Sequence, residues 1–396
     1  MRVLFVNRYF PPDHSATSQM AGDLAFFLAR RGHDVVAITS RQRYDDAAAR
    51  LPARQRVNGV EIVRVATTRF GRGFLPGRAL DYATFYLGAF FALLRRARRG
   101  DAVVAMTDPP LLSVVAAIAC ALKGARLVNW VQDLFPEVAT ALGVRVPGVL
   151  RLRDWSLRRA AVNVALGDQM AARIRARGAN AVVRHNWADA ALHPVEKRDL
   201  FGLGEAFVVA YSGNLGRAHE FATIAAAMRR LGDNAAIKFL FIGSGAQLDA
   251  IKRASEGARR APLPVGAHGV RPLATFAPYQ PRETLSESLS AADVHLVSLQ
   301  PQLEGLIVPS KFYGVLAVAR PVIFVGEAEG ELARLIREHD LGYVVAPGDD
   351  AALVRAILEL AADSERAAAM GRRGRALYDE RFAPEIALAE WERILA

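Results

Sequence analysis

Short runs of consecutive apolar residues alternate with longer amphipathic stretches along the chain. Arg2–Asn7 reads as a strand, Thr17–Arg31 as a helix stopped by Gly32, and Asp34–Thr39 as a second strand. The runs Gly59–Val65, Ala102–Met106 and Ala125–Trp130 continue the alternation. Strands that are apolar at nearly every position belong to parallel sheets covered on both faces, and strand–helix–strand order gives such sheets. The pattern lapses in the polar, aperiodic stretch around Glu196-Lys197-Arg198-Asp199 and restarts at Phe207–Tyr211. Ile237–Ile242, Val294–Leu299, Pro321–Val325 and Gly342–Val345 follow as further strands. The expected organisation is a Rossmann-like doubly wound α/β half over 1–190, a linker over 191–206 and a second such half over 207–380. A helix within 381–396, carrying Trp391, is expected to pack back on the first half.

In sheets of this kind ligands bind beyond the carboxyl ends of the strands, so the loops after each strand hold the candidate chemistry. Tyr211-Ser212-Gly213-Asn214-Leu215-Gly216-Arg217 follows the first strand of the second half. Its glycines allow close backbone approach, and a following helix offers N–H groups to an anion. The other reading is a tight turn with a solvated Arg217. Gly243-Ser244-Gly245-Ala246-Gln247-Leu248 opens like a dinucleotide fingerprint but has Leu248 where the third glycine belongs. Glu304-Gly305-Leu306-Ile307-Val308-Pro309-Ser310-Lys311 places an acid, a glycine and a helix start, with Ser310 as N-cap, at one strand end. In the first half, Gln132-Asp133 follows a strand, and Asp133 reads equally as a proton carrier or a helix cap. Asp13-His14-Ser15 sits in a loop stiffened by Pro11-Pro12. These residues are candidates for holding an acceptor, although a lone loop histidine is commonly just solvated.

The 396 residues, 52% of them hydrophobic, suffice for two cores and exclude a mainly disordered chain. The single cysteine, Cys120, excludes a disulfide framework and fits a reducing compartment. Lys+Arg outnumber Asp+Glu by 51 to 40, for a net charge of +11, yet only Lys123, Lys197, Lys238, Lys252 and Lys311 are lysines. The excess suits an anionic partner. There is no phosphate-loop NTPase motif, no Gly-x-Ser-x-Gly, no close histidine pair and no nucleic-acid module. Tyr82–Leu94 is apolar but too short to span a bilayer, and Ala102–Leu122 is broken by Asp108-Pro109-Pro110.

Taken together, these motifs resemble the retaining glycosyltransferases of family 4, which have the GT-B fold of two Rossmann-like domains facing a cleft. The resemblance rests on Val3-Leu4-Phe5-Val6 with Tyr9-Phe10-Pro11-Pro12, Arg31-Gly32-His33-Asp34-Val35, the two glycine loops, Ala292-Asp293-Val294 and Glu304–Lys311. The bacterial L-fucosamine-transferase-like branch of surface polysaccharide assembly is the nearest in pattern. The resemblance implies that Gly213, Asn214, Gly216, Gly243 and Gly245 line the donor diphosphate, with Arg217 and Lys311 as cations. Glu304 would contact the donor sugar, and Gly305, Leu306, Ile307 and Ser310 would add main-chain contacts. Phe276 and Tyr279 would hold the base. Asp133, with Gln132, Asp13, His14 and Ser15, would face the acceptor. Two departures stand out. The second acid of the family motif is replaced by Gly314, with Phe312 eight positions after Glu304, and the second cation has no clear counterpart near His219 and Glu220.

The implied reaction is metal-independent transfer, with retention, from a nucleoside diphosphate sugar, UDP foremost, to a hydroxyl of a glycan or polyprenyl-linked saccharide. No cofactor, metal or nucleic-acid partner is expected. A cytoplasmic protein is expected, with the basic segments Arg69–Phe74 and Arg95–Arg99 resting on an anionic membrane surface. A nucleotide-sugar epimerase and a non-catalytic nucleotide-sugar-binding subunit are the alternatives.

Overall fold

The computed structural model describes the chain except for residues 45, 47, 72–74, 198, 233 and 258–272. Arg72, Gly73 and Phe74 of the basic loop, and Arg198 of the expected linker, therefore lie outside the described residues. Two compact units are present. The first comprises Met1–His185, Gly305–Ile307 and Glu385–Ala396, and the second Asn186–Glu304 and Val308–Pro384.

The strands of the first unit are β1 (Arg2–Val6), β2 (Asp34–Ser40), β3 (Arg54–Val57), β4 (Val60–Val65), β5 (Ala102–Ala105), β6 (Arg126–Val131), β7 (Val162–Ala165) and β8 (Ala181–Val183). They form one sheet in the order β3-β4-β2-β1-β5-β6-β7-β8. Its helices are α1 (Ala16–Arg30), α2 (Leu75–Arg96), α3 (Leu112–Lys123), α4 (Glu137–Ala141), α5 (Val149–Arg159) and α6 (Asp168–Arg175). Val3 to Val6 are buried on both faces of the sheet, which is why they read as an unbroken apolar run. Gly32 ends α1 at φ +84, a left-handed conformation that glycine adopts without Cβ strain. The β3–β4 pair is antiparallel and turns at Asn58-Gly59, both with positive φ. That is the backbone of a two-residue hairpin turn, and Asn-Gly is its sequence signal.

The second unit contains β9 (Phe207–Ser212), β10 (Ile237–Ile242), β11 (Ala274–Ala277), β12 (Val294–Ser298), β13 (Val322–Val325) and β14 (Gly342–Val345). These form a parallel sheet ordered β11-β10-β9-β12-β13-β14. Its helices are α7 (Ala222–Arg230), α8 (Leu248–Gly257), α9 (Leu285–Ser290), α10 (Lys311–Ala317), α11 (Glu331–Glu338), α12 (Asp350–Ala362) and α13 (Ser364–Leu377). Strand order reverses between β9 and β12, and between β1 and β5 in the first unit. Loops diverge there and leave a crevice at the carboxyl ends, the place where such sheets bind ligands.

The expected linker is part of the second unit, and the boundary falls after His185 rather than at 190. The cause is packing: Leu192 and Leu203 are buried, and Lys197 pairs with Asp293 at 2.6 Å. Asp293 also accepts from Val208 N–H at the start of β9. The final helix, α14 (Pro384–Leu395), belongs from Glu385 onward to the first unit. Trp391 is fully buried there against Trp130, with ring centroids 4.4 Å apart. Glu392 binds His33 at 2.7 Å, and Arg126 donates to the Leu395 carbonyl. Trp391→Ala is expected to cost about 3–5 kcal/mol. Urea unfolding followed by a first-unit probe should show the loss, and a second-unit probe should not.

Candidate functional site

In the second unit the crevice between β9 and β12 brings the glycine loops and Lys311 together. The two loops lie directly on each other. Gly213 N–H donates to Ile242 O and Leu215 N–H to Ser244 O, each at 2.8 Å, and Gln247 N–H returns to Leu215 O at 2.9 Å. A Cβ on Gly243 would collide with Gly213 O, and one on Gly245 would lie 2.5 Å from Leu215 O. Both have positive φ, +127 and +143. Loop-on-loop contact therefore requires these glycines, which explains an incomplete dinucleotide fingerprint. Gly213, at φ +123, leaves room for Lys311, whose Cε would sit 3.3 Å from a Cβ there.

Lys311 is half-buried, and among the described residues no carboxylate forms an ion pair with it. Its ammonium stands 4.7 Å from the centroid of the Tyr211 ring and 3.3 Å from His219 Nε2. Burial pushes its pKa down to about 7, and an anion brought beside it would favour the charged form. His219 is pushed down to about 3 by burial and by Lys311, against a hydrogen bond to the Ser298 carbonyl. An ammonium with no carboxylate paired to it among the described residues, set on a glycine loop at a sheet switch point, has the chemistry to receive an external anion.

Other candidates take different places. Arg217 is exposed, and its carbonyl accepts from Gln300 Nε2 at 2.8 Å. Asn214 is exposed, and its carbonyl accepts from Tyr211 OH at 3.1 Å. The amides at the start of α7 were expected to be open to an anion. Instead Thr223 N–H donates to the Glu220 carboxylate at 3.1 Å, so an internal acid occupies that helix end. Ser310 precedes α10 in a helical conformation and makes no side-chain cap, because a capping residue needs extended backbone. Glu304 is buried, and its Oε1 accepts from Glu331 N–H at 2.9 Å, which ties the carboxylate to the start of α11. Phe276 stacks on Phe241 at 5.4 Å, and Lys252 stands over its ring, so that ring serves packing. Tyr279 is exposed beside Gly243 and is the aromatic open to a flat ligand. A side chain at Gly314 would meet Leu192 and Leu289, each at 3.7 Å. The Cβ of any side chain at that position would therefore sit among apolar carbons.

The first unit holds the remaining candidates. Both oxygens of Asp13 are taken by main-chain N–H groups, Oδ1 by Ser15 at 2.8 Å and Oδ2 by Tyr44 at 2.5 Å. Its carboxylate braces two loops and has little left for an acceptor. His14 is exposed, while Ser15 and Gln132 are half-buried. Gly305–Ile307 groups with this unit: Ile307 forms an antiparallel bridge with Asp133, and Leu134 N–H donates to Leu306 O at 3.0 Å. Asp133 Oδ1 is buried without a hydrogen-bond partner beside Asn129, whose own Oδ1 is likewise unpaired. Burial pushes the Asp133 pKa up to about 6; a bond from Thr107 opposes the shift and Asp108 adds to it. Among the described residues no group of three His, Cys, Asp or Glu side chains is placed to hold a metal.

Residues 16–187 match the glycosyl transferase 4-like domain and residues 206–363 the glycosyl transferases group 1 domain. The chain is 31% identical to the probable glycosyltransferase WbjE of Pseudomonas aeruginosa over 286 residues, 68% of each chain. The putative colanic acid biosynthesis glycosyl transferase WcaI of Escherichia coli K12 is 23% identical, over 85% of this chain and 86% of that one. Anabaena HepE, solved with UDP-glucose, superposes with a TM-score of 0.73 at 14% identity, covering 100% of this chain and 99% of that chain. The chain belongs to the glycosyltransferases, has the GT-B fold and is a transferase.

Asp133 yields a stability prediction. Its folded pKa exceeds the ordinary 3.8, so the native state holds the proton more tightly. Ionisation then costs stability as pH rises from about 4 to about 6, and the whole cost persists above. Asp133→Asn should stabilise the protein by about 3 kcal/mol at pH 8 and by much less at pH 4. Urea titrations at the two pH values measure the difference.

Proposed function

We propose that the chain moves a sugar, with retention and without a metal, from a UDP-sugar to a hydroxyl of a glycan or polyprenyl-linked saccharide in bacterial surface polysaccharide assembly. The observation that carries the reading is the carboxylate-free Lys311 ammonium against the Gly213 loop. HepE, solved with UDP-glucose, supports the donor class, and the WcaI description supports the polysaccharide role. In the reaction, the bond between the sugar C1 and the diphosphate oxygen breaks, and the acceptor oxygen bonds to C1 on the same face. The acceptor proton passes to the departing phosphate. Lys311 and Arg217 stabilise the charge that develops on the diphosphate. Tyr279 stacks on the base, Glu304 contacts the sugar, and Asp133 binds the acceptor hydroxyl.

The surface of α2 supports a lipid-linked acceptor. Its inner face, with Phe85, Ala89 and Leu93, joins the core built on β1, β2 and β5. Its outer face leaves Leu80, Leu87 and Phe91 in solvent, at 46%, 60% and 51% exposure. The adjacent α3 adds Ile118 and Leu122. Arg95, Arg98 and Arg99 are exposed where α2 ends, while the neighbouring acid Asp81 is buried beside Arg8 and Asp101 is held by Arg2. An apolar stripe with cations at its end and its nearest acids turned inward matches an anionic bilayer surface. No helix among the described residues is long and apolar enough to cross a membrane.

Two experiments test these readings. In a thermal-shift panel of UDP, GDP, dTDP and ADP, UDP at a hundred times its Kd should add about 2.7 kcal/mol and raise the midpoint by several degrees. Lys311→Ala should abolish the shift, and silence with all four nucleotides would sink the donor site. In flotation assays the protein should rise with vesicles containing phosphatidylglycerol, less so at high salt, and stay behind with phosphatidylcholine alone. Leu87→Asp with Phe91→Asp should end flotation and leave the UDP shift intact. Failure of the unaltered protein to float would reject the bilayer face.

A further inference from the structure

Resting on the donor site just described, we propose that His219 is the positioning residue for Lys311. As a neutral imidazole with its proton on Nδ1, it takes the place of a second cation and aims the ammonium at the diphosphate. The tautomer is dictated from both sides. His219 Nδ1 lies 2.7 Å from the Ser298 carbonyl, which can only accept, so Nδ1 carries the proton. Nε2 then presents a bare lone pair to the Lys311 ammonium at 3.3 Å, which can only donate. A doubly protonated ring would place two cations in contact. The low pKa of His219 agrees with a ring that stays neutral.

The ring is built into its place. His219 N–H donates to Gly216 O at 3.2 Å, which ties the residue to the glycine loop itself. Tyr211 and Phe221 flank the imidazole edge-on, with centroids at 5.9 and 6.1 Å. Ser298 is the last residue of β12, at the switch point. One residue thus links the end of β12 and the start of α10 through its ring, and the loop after β9 through its main-chain N–H. The three ammonium hydrogens of Lys311 then have distinct destinations. One goes to His219 Nε2 and one toward the face of Tyr211, whose ring centroid is 4.7 Å away. The third is left for an oxygen of the ligand. Without the imidazole, only the Tyr211 face is left to favour this rotamer of the flexible lysine stem over one reaching solvent.

The test uses the full-length protein with UDP and uridine as calorimetric ligands. His219→Phe keeps an aromatic ring and removes the acceptor. It should weaken UDP binding about tenfold or more, the size expected for losing a charged hydrogen bond, and leave uridine binding unchanged. His219→Gln, which restores an acceptor oxygen, should recover UDP affinity to within about threefold of the unaltered protein. In ligand-free protein, nitrogen-15 imidazole shifts should show a single Nδ1–H tautomer at pH 7, with the Nε2 signal moving in Lys311→Met. UDP affinity equal in His219→Phe and the unaltered protein overturns the proposal, as does parallel loss of uridine binding or failure of Gln to rescue. A ring protonated on both nitrogens at pH 7 overturns it as well. Should the unaltered protein bind no UDP, the donor-site reading falls, and the tautomer measurement decides the His219–Lys311 pair by itself.

Discussion

The approach of two backbone loops sets the geometry of the second unit's crevice. Gly243 can lie against the Gly213 carbonyl, and Gly245 against that of Leu215, only because neither has a Cβ. With the loops in contact, β9 and β10 deliver their carboxyl ends at one level, and Lys311 fits beside Gly213. A single methyl at either position would separate the loops and displace the lysine from the loop it serves. The glycines so conspicuous in the chain therefore act first on each other, and any ligand meets the surface that their contact creates.

Much of this was legible from periodicity. The long buried strands β1, β2, β10 and β12 announce themselves because both faces of a parallel sheet are dry. Several shorter ones do not. β3 is Arg-Gln-Arg-Val on an exposed edge, and β8 has three residues, so neither gives a pattern longer than chance. The Asn58-Gly59 turn was the available signal for the first of these. The polar stretch after His185 lacks periodicity yet is anchored by isolated leucines and the Lys197–Asp293 pair, contacts invisible to a window average.

The site was legible in its loops and less so in its charges. Sequence position brings Glu304, Glu220 and Asp13 near the strand ends, but each spends carboxylate oxygens on main-chain N–H groups. Whether an acid faces a ligand or a helix end depends on which staggered rotamer its surroundings select, and no residue pattern encodes that. His219 is the converse case. Nothing marks it in the chain except its place after the glycine loop, and its significance comes from Ser298 and Lys311, 79 and 92 residues away.

The return of α14 to the first unit makes that unit discontinuous along the chain, with the second unit inserted between its parts. During synthesis the second unit therefore emerges whole, through Pro384, before the first can close over Trp130. Domains fold as units when their last segment becomes available. On the ribosome the amino-terminal unit is thus the later to finish, with an uncovered tryptophan until Trp391 leaves the exit tunnel. Loss of α14 would strike the unit that was made first.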